Sequence, residues 1–340
     1  MNSQTLKFYQ TGTFTVGNRL LGDDDRHVQA TIDRNNSLNS GHRACRGCGE
    51  ALGARYAVDA VMRVTKNKAV AVNATGCLEV FSTPYPESSW RLPWLHSLFG
   101  NAPAVAAGVA AASKVLKKNW TVIAQGGDGS TVDIGFGCLS GMFERNDDVL
   151  YICYDNEAYM NTGVQRSGST PAMAVTSTTQ GVGEVKGQPF VGGKNVPRIA
   201  LAHGIPYVAT ASVADLHDLE AKVTKAVGIA GARYIHVHVP CPLGWGSDPA
   251  LTIQLARSAV QCGLYPLFEG EYGRVIRTTK IRKRIPVTEY LEPQKRFAHL
   301  FGKTRDQNAI DRIQGIADEN IRRLDLLDGE IDSVRNVLQV

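Results

Sequence analysis

Two stretches decide how this chain is read: Thr121-Val-Ile-Ala-Gln-Gly126-Gly127-Asp128-Gly129 and Val149-Leu-Tyr-Ile-Cys-Tyr154-Asp155-Asn156. Residues 121–124 and 149–154 are short apolar runs of strand character, and each runs directly into turn residues. Between them, 134–145 has helical spacing. Gly129 and Asn156 are thus separated by 26 residues that hold one helix and one strand. Glycine lets a backbone pass close to a phosphate. Asp128 and Asn156 supply hard oxygens of the kind Mg2+ takes when it bridges to a diphosphate. The helix that follows adds an N-terminal dipole for the anion.

Working outward, the same alternation continues. Strand-like runs lie at 69–72, 207–209 and 234–239, and helical patterns at 49–65, 102–116, 196–203 and 213–227. Strands alternating with helices specify an α/β fold, a mainly parallel sheet covered by helices on both faces. Ligands in such sheets bind outside the carboxyl ends of the strands. The loops after Val72, Ala124, Tyr154 and Val239 are therefore expected at one edge. Residues 163–195, rich in Gly, Ser and Thr, read as a long functional loop. The longest uncharged run, 92–113, contains Pro93, His96, Asn101 and Pro103 and reads as a buried loop and helix rather than a membrane span. The expected organisation is an N-terminal arm over 1–40, one cofactor-binding domain over 41–268, and a basic arm with an amphipathic helix over 269–340. In that last part Ile310, Ile313, Ala317, Leu324, Leu327, Ile331, Val334 and Leu338 form a stripe that packs on a core or a partner, with Gly329 a possible break.

Composition sets the bounds. The chain has 340 residues, 43% of them hydrophobic and 20% charged, which excludes a largely disordered protein. Residues 1–10 lack the apolar core of a secretory signal. Seven cysteines in a chain this large fit a reduced, cytoplasmic protein with thiolate ligands better than a disulfide scaffold. The +5 net charge is local: between Glu271 and Arg305 ten Lys/Arg face three acids, so this stretch carries +7 and the remainder −2. No nucleic-acid motif accompanies the charge, and a solvated or subunit-facing surface is the expected reading. Lys194 follows Gly192-Gly193, but Gln188 and Asn195 break a Walker A pattern. No GxGxxG follows a strand, and neither HExxH nor GxSxG occurs.

Cys45-Arg-Gly-Cys48 has three readings: metal ligands, a redox dithiol, or chance. A thioredoxin-like motif should follow a strand, and this one does not. Cys77 and Cys241 stand in two of the loops expected at the sheet edge. Four thiolates can hold a structural zinc or an iron–sulfur cluster, and dispersed ligands favour the cluster. Cys138, Cys153 and Cys262 occupy apolar positions and read as small hydrophobes.

The Gly-Asp-Gly turn followed by Asn156 resembles the thiamine diphosphate motif, in which Mg2+ is held by the Asp, the Asn and a carbonyl two residues on. Here those positions are Asp128, Asn156 and Ala158. The continuation Asp155-Asn-Glu-Ala-Tyr-Met-Asn161-Thr-Gly163, with Cys45-x-x-Cys48-Gly-Glu50, Ala74-Thr-Gly76-Cys77 and Pro240-Cys241-Pro-Leu-Gly-Trp245, is similar to the β subunit of pyruvate:ferredoxin oxidoreductase and related 2-oxoacid oxidoreductases. The likeness runs from about Gly41 to Leu300. It implies a thiamine diphosphate-binding fold and oxidative decarboxylation of a 2-oxoacid, pyruvate-like or an aryl glyoxylate, with acyl transfer to coenzyme A. It also implies Mg2+, and a 4Fe-4S cluster on Cys45, Cys48, Cys77 and Cys241. Gly76, Cys77, Gly127, Gly129 and Ser130 fall in its cofactor-binding segments, and Glu50 and Asn161 lie near cofactor or substrate. The implied partners are an α subunit carrying the pyrimidine half of the site, γ and ferredoxin-like δ subunits, and ferredoxin or an NAD-linked electron-transfer subunit. Leu78 and Glu79 depart from the small polar pair common at this point.

His96, in Trp94-Leu-His-Ser-Leu-Phe-Gly100, reads either as a hydrogen-bonded core histidine or as a proton-transfer group of the second active-site loop. Three other functions compete with the main reading. One is a non-redox thiamine-dependent decarboxylase or synthase with a structural zinc. Another is an electron-relay subunit with a degenerate site. The third is a nucleic-acid binder using 271–305.

Overall fold

A computed structural model describes residues 36–83, 88–180, 187–188 and 193–327. An eight-stranded sheet forms from β1 (Ala69–Ala74), β2 (Trp94–Ser97), β3 (Thr121–Gly127), β4 (Leu150–Asp155), β5 (Tyr207–Ser212), β6 (Arg233–His238), β7 (Phe268–Glu271) and β8 (Arg274–Thr278). Their order across the sheet is β2-β1-β3-β4-β6-β5-β7-β8. The first six of that order run parallel. Strand β7 pairs antiparallel with β5, and β8 antiparallel with β7.

The parallel strands are buried on both faces, and side-chain alternation sorts them into two layers. Ala69, Ala71, Ile123, Leu150 and Ile152 pack under the Gly49–Thr65 and Leu216–Val227 helices. Val70, Val72, Val122, Ala124, Tyr151 and Cys153 pack under Ala102–Val115, Phe136–Glu144 and Val196–Ala202. The parallel α/β expectation therefore holds. Cys153 is buried in the second of these layers, Cys262 is buried beside Trp245, Tyr290 and Phe297, and Cys138 is half-buried, as expected of small hydrophobes.

Three local readings change. Residues 94–97 were expected in a loop and form edge strand β2, whose Asn73↔His96 register with β1 places His96 at the carboxyl edge. The run lacks β-branched residues, so only pairing defines it. The helix expected over 134–145 starts earlier, as a π-helical turn Gly129–Ile134 followed by Phe136–Glu144. Gly135 joins the two because a Cβ there would lie 2.1 Å from the Ser130 carbonyl oxygen. Finally, the start of the basic stretch is not an arm. Tyr272 and Gly273, both left-handed (φ 47° and 85°), make a two-residue turn that adds the β7–β8 hairpin to the sheet.

Several basic side chains of 271–305 pair within the chain: Arg277 with Glu269, Lys280 with Asp325 and Arg284 with Asp318. Arg296 is buried. The helix Gln307–Leu324 places Ile310, Ile313 and Ala317 in a third core with Trp245, Tyr290 and Phe297. Gly329, Ile331, Val334, Leu338 and most of the 1–40 arm lie outside the described residues. Among the described residues, no helix is long and apolar enough to cross a membrane.

Glu269 ties the antiparallel hairpin to the parallel body. Its Oε2 accepts from Tyr207 Oη at 2.8 Å and from Lys225 Nζ at 3.0 Å. Burial alone would raise its pKa, but these donors hold it below the usual value. A lowered folded pKa contributes stability that is present above the unfolded value of about 4.3 and is lost as pH falls through the folded one. Glu269→Gln should therefore cost about 1 kcal/mol at pH 7. In urea titrations at pH 7 and pH 3 the gap between wild type and variant should narrow at the lower pH; an undiminished gap contradicts this assignment.

Candidate functional site

The parallel register brings the carboxyl ends of β1, β3, β4 and β6 to one edge, as the loop pattern required. The loop after β1 supplies Thr75, Gly76 and Cys77 to a cleft there, and the loop after β3 supplies Gly127, Asp128, Gly129 and Ser130. The opposite wall is Asn156, Ala158, Tyr159 and Asn161 from the loop after β4, with Glu50 from the start of the first helix. Ten of the residues singled out from the sequence thus share one cleft: Glu50, Gly76, Cys77, Gly127, Asp128, Gly129, Ser130, Asn156, Ala158 and Asn161. His96 does not line it. It is exposed rather than a core residue, is stacked on Trp94, and has Nε2 2.8 Å from Oγ1 of Thr75, which does line the cleft.

Glycine shapes the turn by close approach. A Cβ on Gly126 would fall 2.6 Å from Ser130 Oγ and 2.7 Å from Tyr151 Oη. The hydroxyls of Ser130 and Thr131 donate back to the Gly127 carbonyl at 2.9 and 2.7 Å, folding the π-helical turn onto the strand end. Gly129 faces the ring of Tyr159, which stacks on Phe99 and donates to the Gly129 carbonyl and to Asp133.

The acids here are out of water. Burial, with the nearby charge of Asp155, pushes the Asp128 carboxyl well above its usual range, and the Ser167 hydroxyl donates to it. Burial lifts Glu50 to about 7 against hydrogen bonds from Asn156 and the Leu78 amide. Asn156 Nδ2 donates to Glu50 Oε2 at 3.1 Å, while Asn156 Oδ1 is buried with no hydrogen-bond partner. An orphaned buried acceptor costs about 1–3 kcal/mol. A hard cation would satisfy Asn156 Oδ1 and offset the charge of Asp128. The donor set therefore fits Mg2+, with the Ala158 backbone in the same cleft wall.

The thiols stand beside the cleft. Cys48 caps the Gly49–Thr65 helix and Cys241 caps Pro242–Trp245, and the Sγ of each accepts a backbone N–H at 3.4 Å. Cys77 opens the Cys77–Ser82 helix, and Cys45 is exposed. Burial and the Glu50 charge raise Cys48 to about 12, and Cys77 is raised for the same reasons. Cys241 is lifted to about 11, chiefly by burial. Cys48, Cys77 and Cys241 feel one another's charge, and Cys241 feels Cys45. Soft thiolate donors suit an iron–sulfur group or zinc. Among the described residues, however, no set of three or more His, Cys, Asp or Glu stands at metal-ligand spacing.

A separate cavity of about 260 Å³ lies on the far side of Asp155 and Glu157, walled by Tyr265, Tyr290 and Phe297 with Arg198 at its edge. It has no counterpart of the Gly127-Asp128-Gly129 turn. Sequence reasoning missed Ser167, Tyr159, Trp245 and Arg296 around the site. Ser167 falls in the loop marked as functional, Tyr159 and Trp245 stand inside two of the quoted motifs without being assigned a role, and Arg296 carries no local signal.

Residues 74–237 match the family described as "Thiamine pyrophosphate enzyme, C-terminal TPP binding domain". The chain is 50% identical over 292 residues to pyruvate synthase subunit PorB of Methanosarcina barkeri, covering 85% of this chain and 97% of that protein. It is 39% identical over 295 residues to the Thermotoga maritima protein of the same name, covering 84% and 90%. It is also 40% identical over 285 residues to ketoisovalerate oxidoreductase subunit VorB of Pyrococcus abyssi, covering 82% and 90%. Among solved structures, 2-oxoglutarate:ferredoxin oxidoreductase from Magnetococcus marinus, with 2-oxoglutarate, coenzyme A and succinyl-CoA bound, aligns with TM-score 0.52 and 25% identity, covering 65% of this chain and 79% of that one.

The Gly129–Tyr159 contact is directly testable. A Cβ at Gly129 would lie 2.4 Å from the Tyr159 ring, so the ring must move. Gly129→Ala should cost about 1–3 kcal/mol in urea unfolding. Gly129→Ala/Tyr159→Leu should lose less than the sum of the two single changes. Additive losses would mean the ring does not set the requirement for glycine.

Proposed function

This chain belongs to the pyruvate synthase subunit PorB family of thiamine pyrophosphate enzymes, and from that premise we propose that it is the thiamine-binding β subunit of a 2-oxoacid oxidoreductase acting on pyruvate or a close relative. The observation that carries the proposal is the pairing, in a glycine-walled cleft, of a buried carboxylate on Asp128 with the unpartnered Oδ1 of Asn156.

When bound, thiamine diphosphate supplies the electron sink for decarboxylation, and an iron–sulfur cluster supplies a one-electron acceptor. The chain's own residues do the rest. Gly127 and Gly129 leave room for the phosphates, and Ser130 adds a hydroxyl beside them. Asp128, Asn156 and the Ala158 carbonyl hold Mg2+. Glu50, buried in the cleft and hydrogen-bonded to Asn156, is placed to serve as an acid–base group for the reaction. Phe99 and Tyr159 close one wall against water. Asn161 and, through Thr75, His96 stand where a substrate carboxylate or carbonyl would approach. Cys45, Cys48, Cys77 and Cys241 are the thiols that would hold the cluster, although they do not stand at ligand spacing in this structure. Residues 41–268 carry this machinery, with the described residues 269–327 packed behind it, and the loop after Gly163 and the segment around Leu78–Trp94 select the 2-oxoacid.

The relatives are named as subunits of larger enzymes. We assign the pyrimidine half of the cofactor to an α subunit, the onward electrons to a ferredoxin-like subunit, and the acyl group to coenzyme A. Anaerobic co-purification with the partner subunits should yield iron and acid-labile sulfide and pyruvate-dependent, coenzyme A-dependent dye reduction. Asp128→Ala should lower turnover on the order of 100-fold or more. Turnover by this chain alone, or by Asp128→Ala at the wild-type rate, overturns the assignment. A colourless zinc protein would instead favour a non-redox thiamine enzyme.

A further inference from the structure

Directly behind the cleft, the turn that carries Asn156 is gripped by residues from the far end of the chain. Glu157 adopts a left-handed backbone (φ 70°) that glycine normally takes. Four contacts hold it there. Its N–H donates to Asp155 Oδ1 at 2.8 Å, and its carbonyl accepts from Thr170 Oγ1 at 2.8 Å. Its carboxylate meets Arg296 Nη2 at 2.5 Å and lies 3.5 Å from His238 Nε2. The Arg296 guanidinium also covers the ring of Trp245 at 3.8 Å, and Trp245 Nε1–H donates to the Asn156 carbonyl at 2.9 Å. Arg296, Trp245 and His238 are all buried. The turn is therefore clamped on two consecutive residues, and the two clamps are stacked on each other.

None of these groups reaches the cleft. We propose that Arg296 and Trp245 are positioning residues that fix the Asn156–Glu157–Ala158 turn, keep Asn156 aimed into the cleft, and thereby set the affinity of the site for Mg2+ and thiamine diphosphate. The inference rests on the magnesium–diphosphate reading above. The clamp works through geometry. Trp245 fixes the peptide carbonyl that follows Asn156, and Arg296 neutralises the one carboxylate whose release would let the left-handed residue relax. Partners one step removed from a metal ligand commonly change metal affinity by 10–100-fold.

The test uses the assembled complex stripped of metal with chelator, with Mg2+ titrated calorimetrically at fixed thiamine diphosphate. Trp245→Phe keeps an aromatic ring under the guanidinium but loses the N–H together with part of the indole's buried volume; Arg296→Lys keeps the charge and loses the planar stack. Each should raise the Mg2+ Kd on the order of 10–100-fold. The KM for the 2-oxoacid should stay at the wild-type value once Mg2+ is saturating, and excess Mg2+ should restore kcat. As a packing control, Ile310→Ala in the same core, away from the guanidinium, should lower Tm without moving the Mg2+ Kd. If Arg296→Lys does not fold, Trp245→Phe decides alone. Wild-type Mg2+ affinity in Trp245→Phe overturns the positioning role. Failure of the unmodified complex to bind Mg2+ and thiamine diphosphate at all overturns the reading beneath it as well.

Discussion

Four carboxyl groups, three buried and Glu157 nearly so, stand at the carboxyl ends of β3 and β4 and the adjoining helix start, and their compensation organises this end of the molecule. Asp155 has His236 Nε2 at 2.7 Å, and Glu157 has the Arg296 guanidinium. Asp128 and Glu50 have only neutral donors, the Ser167 hydroxyl and the Asn156 amide, and both are pushed above the usual carboxylate range. Glu157 shows the contrast. Burial would raise it too, yet Arg296 and His238 together hold it at about 2. The two acids supplied with basic partners face away from the cleft and lock the turn. The two left without one line the cleft. A buried carboxylate lacking a cation is costly, so the arrangement reserves its missing positive charge for what enters there.

That division explains why the C-terminal part is integral to the fold. Trp245, Tyr290, Phe297 and the apolar stripe of Gln307–Leu324 make a third core, separate from the two cores of the sheet. Its position at the carboxyl edge brings Arg296 to Glu157 across 139 residues of sequence. The stretch whose excess positive charge looked like a solvated surface thus contains one cation used in the interior, while others such as Arg277 and Arg284 serve as surface ties.

The sheet and the cleft were legible because their signals are local. Alternating strand and helix patterns specify the parallel layers. A Gly-Asp-Gly turn and an Asn at the next strand end are each defined by backbone requirements within a few residues. What stayed illegible is set by distant contacts. Strand β2 exists because β1 offers it a pairing edge, and His96 is exposed because that edge is the last of the sheet. The β7–β8 hairpin hides behind its charges, and its turn uses Tyr272 where asparagine is usual. Trp245 closes a quoted motif and Arg296 lies in the basic stretch, but neither shows its role until the chain folds them onto one another and onto the Asn156 turn.

The cysteines repeat the logic of the acids with a softer donor. Buried thiols are cheap while protonated, and Cys48, Cys77 and Cys241 are all raised by burial, so without a metal they stay neutral. Becoming ligands requires a metal charge large enough to displace their protons. Two of them already accept backbone N–H groups at helix starts, contacts that favour a negative sulfur. Glu50, whose charge raises Cys48, Cys77 and Cys241, is also the acid bonded to Asn156. Glu50 thus stands between the thiols and the Asn156 side of the cleft, a single buried side chain next to both donor sets.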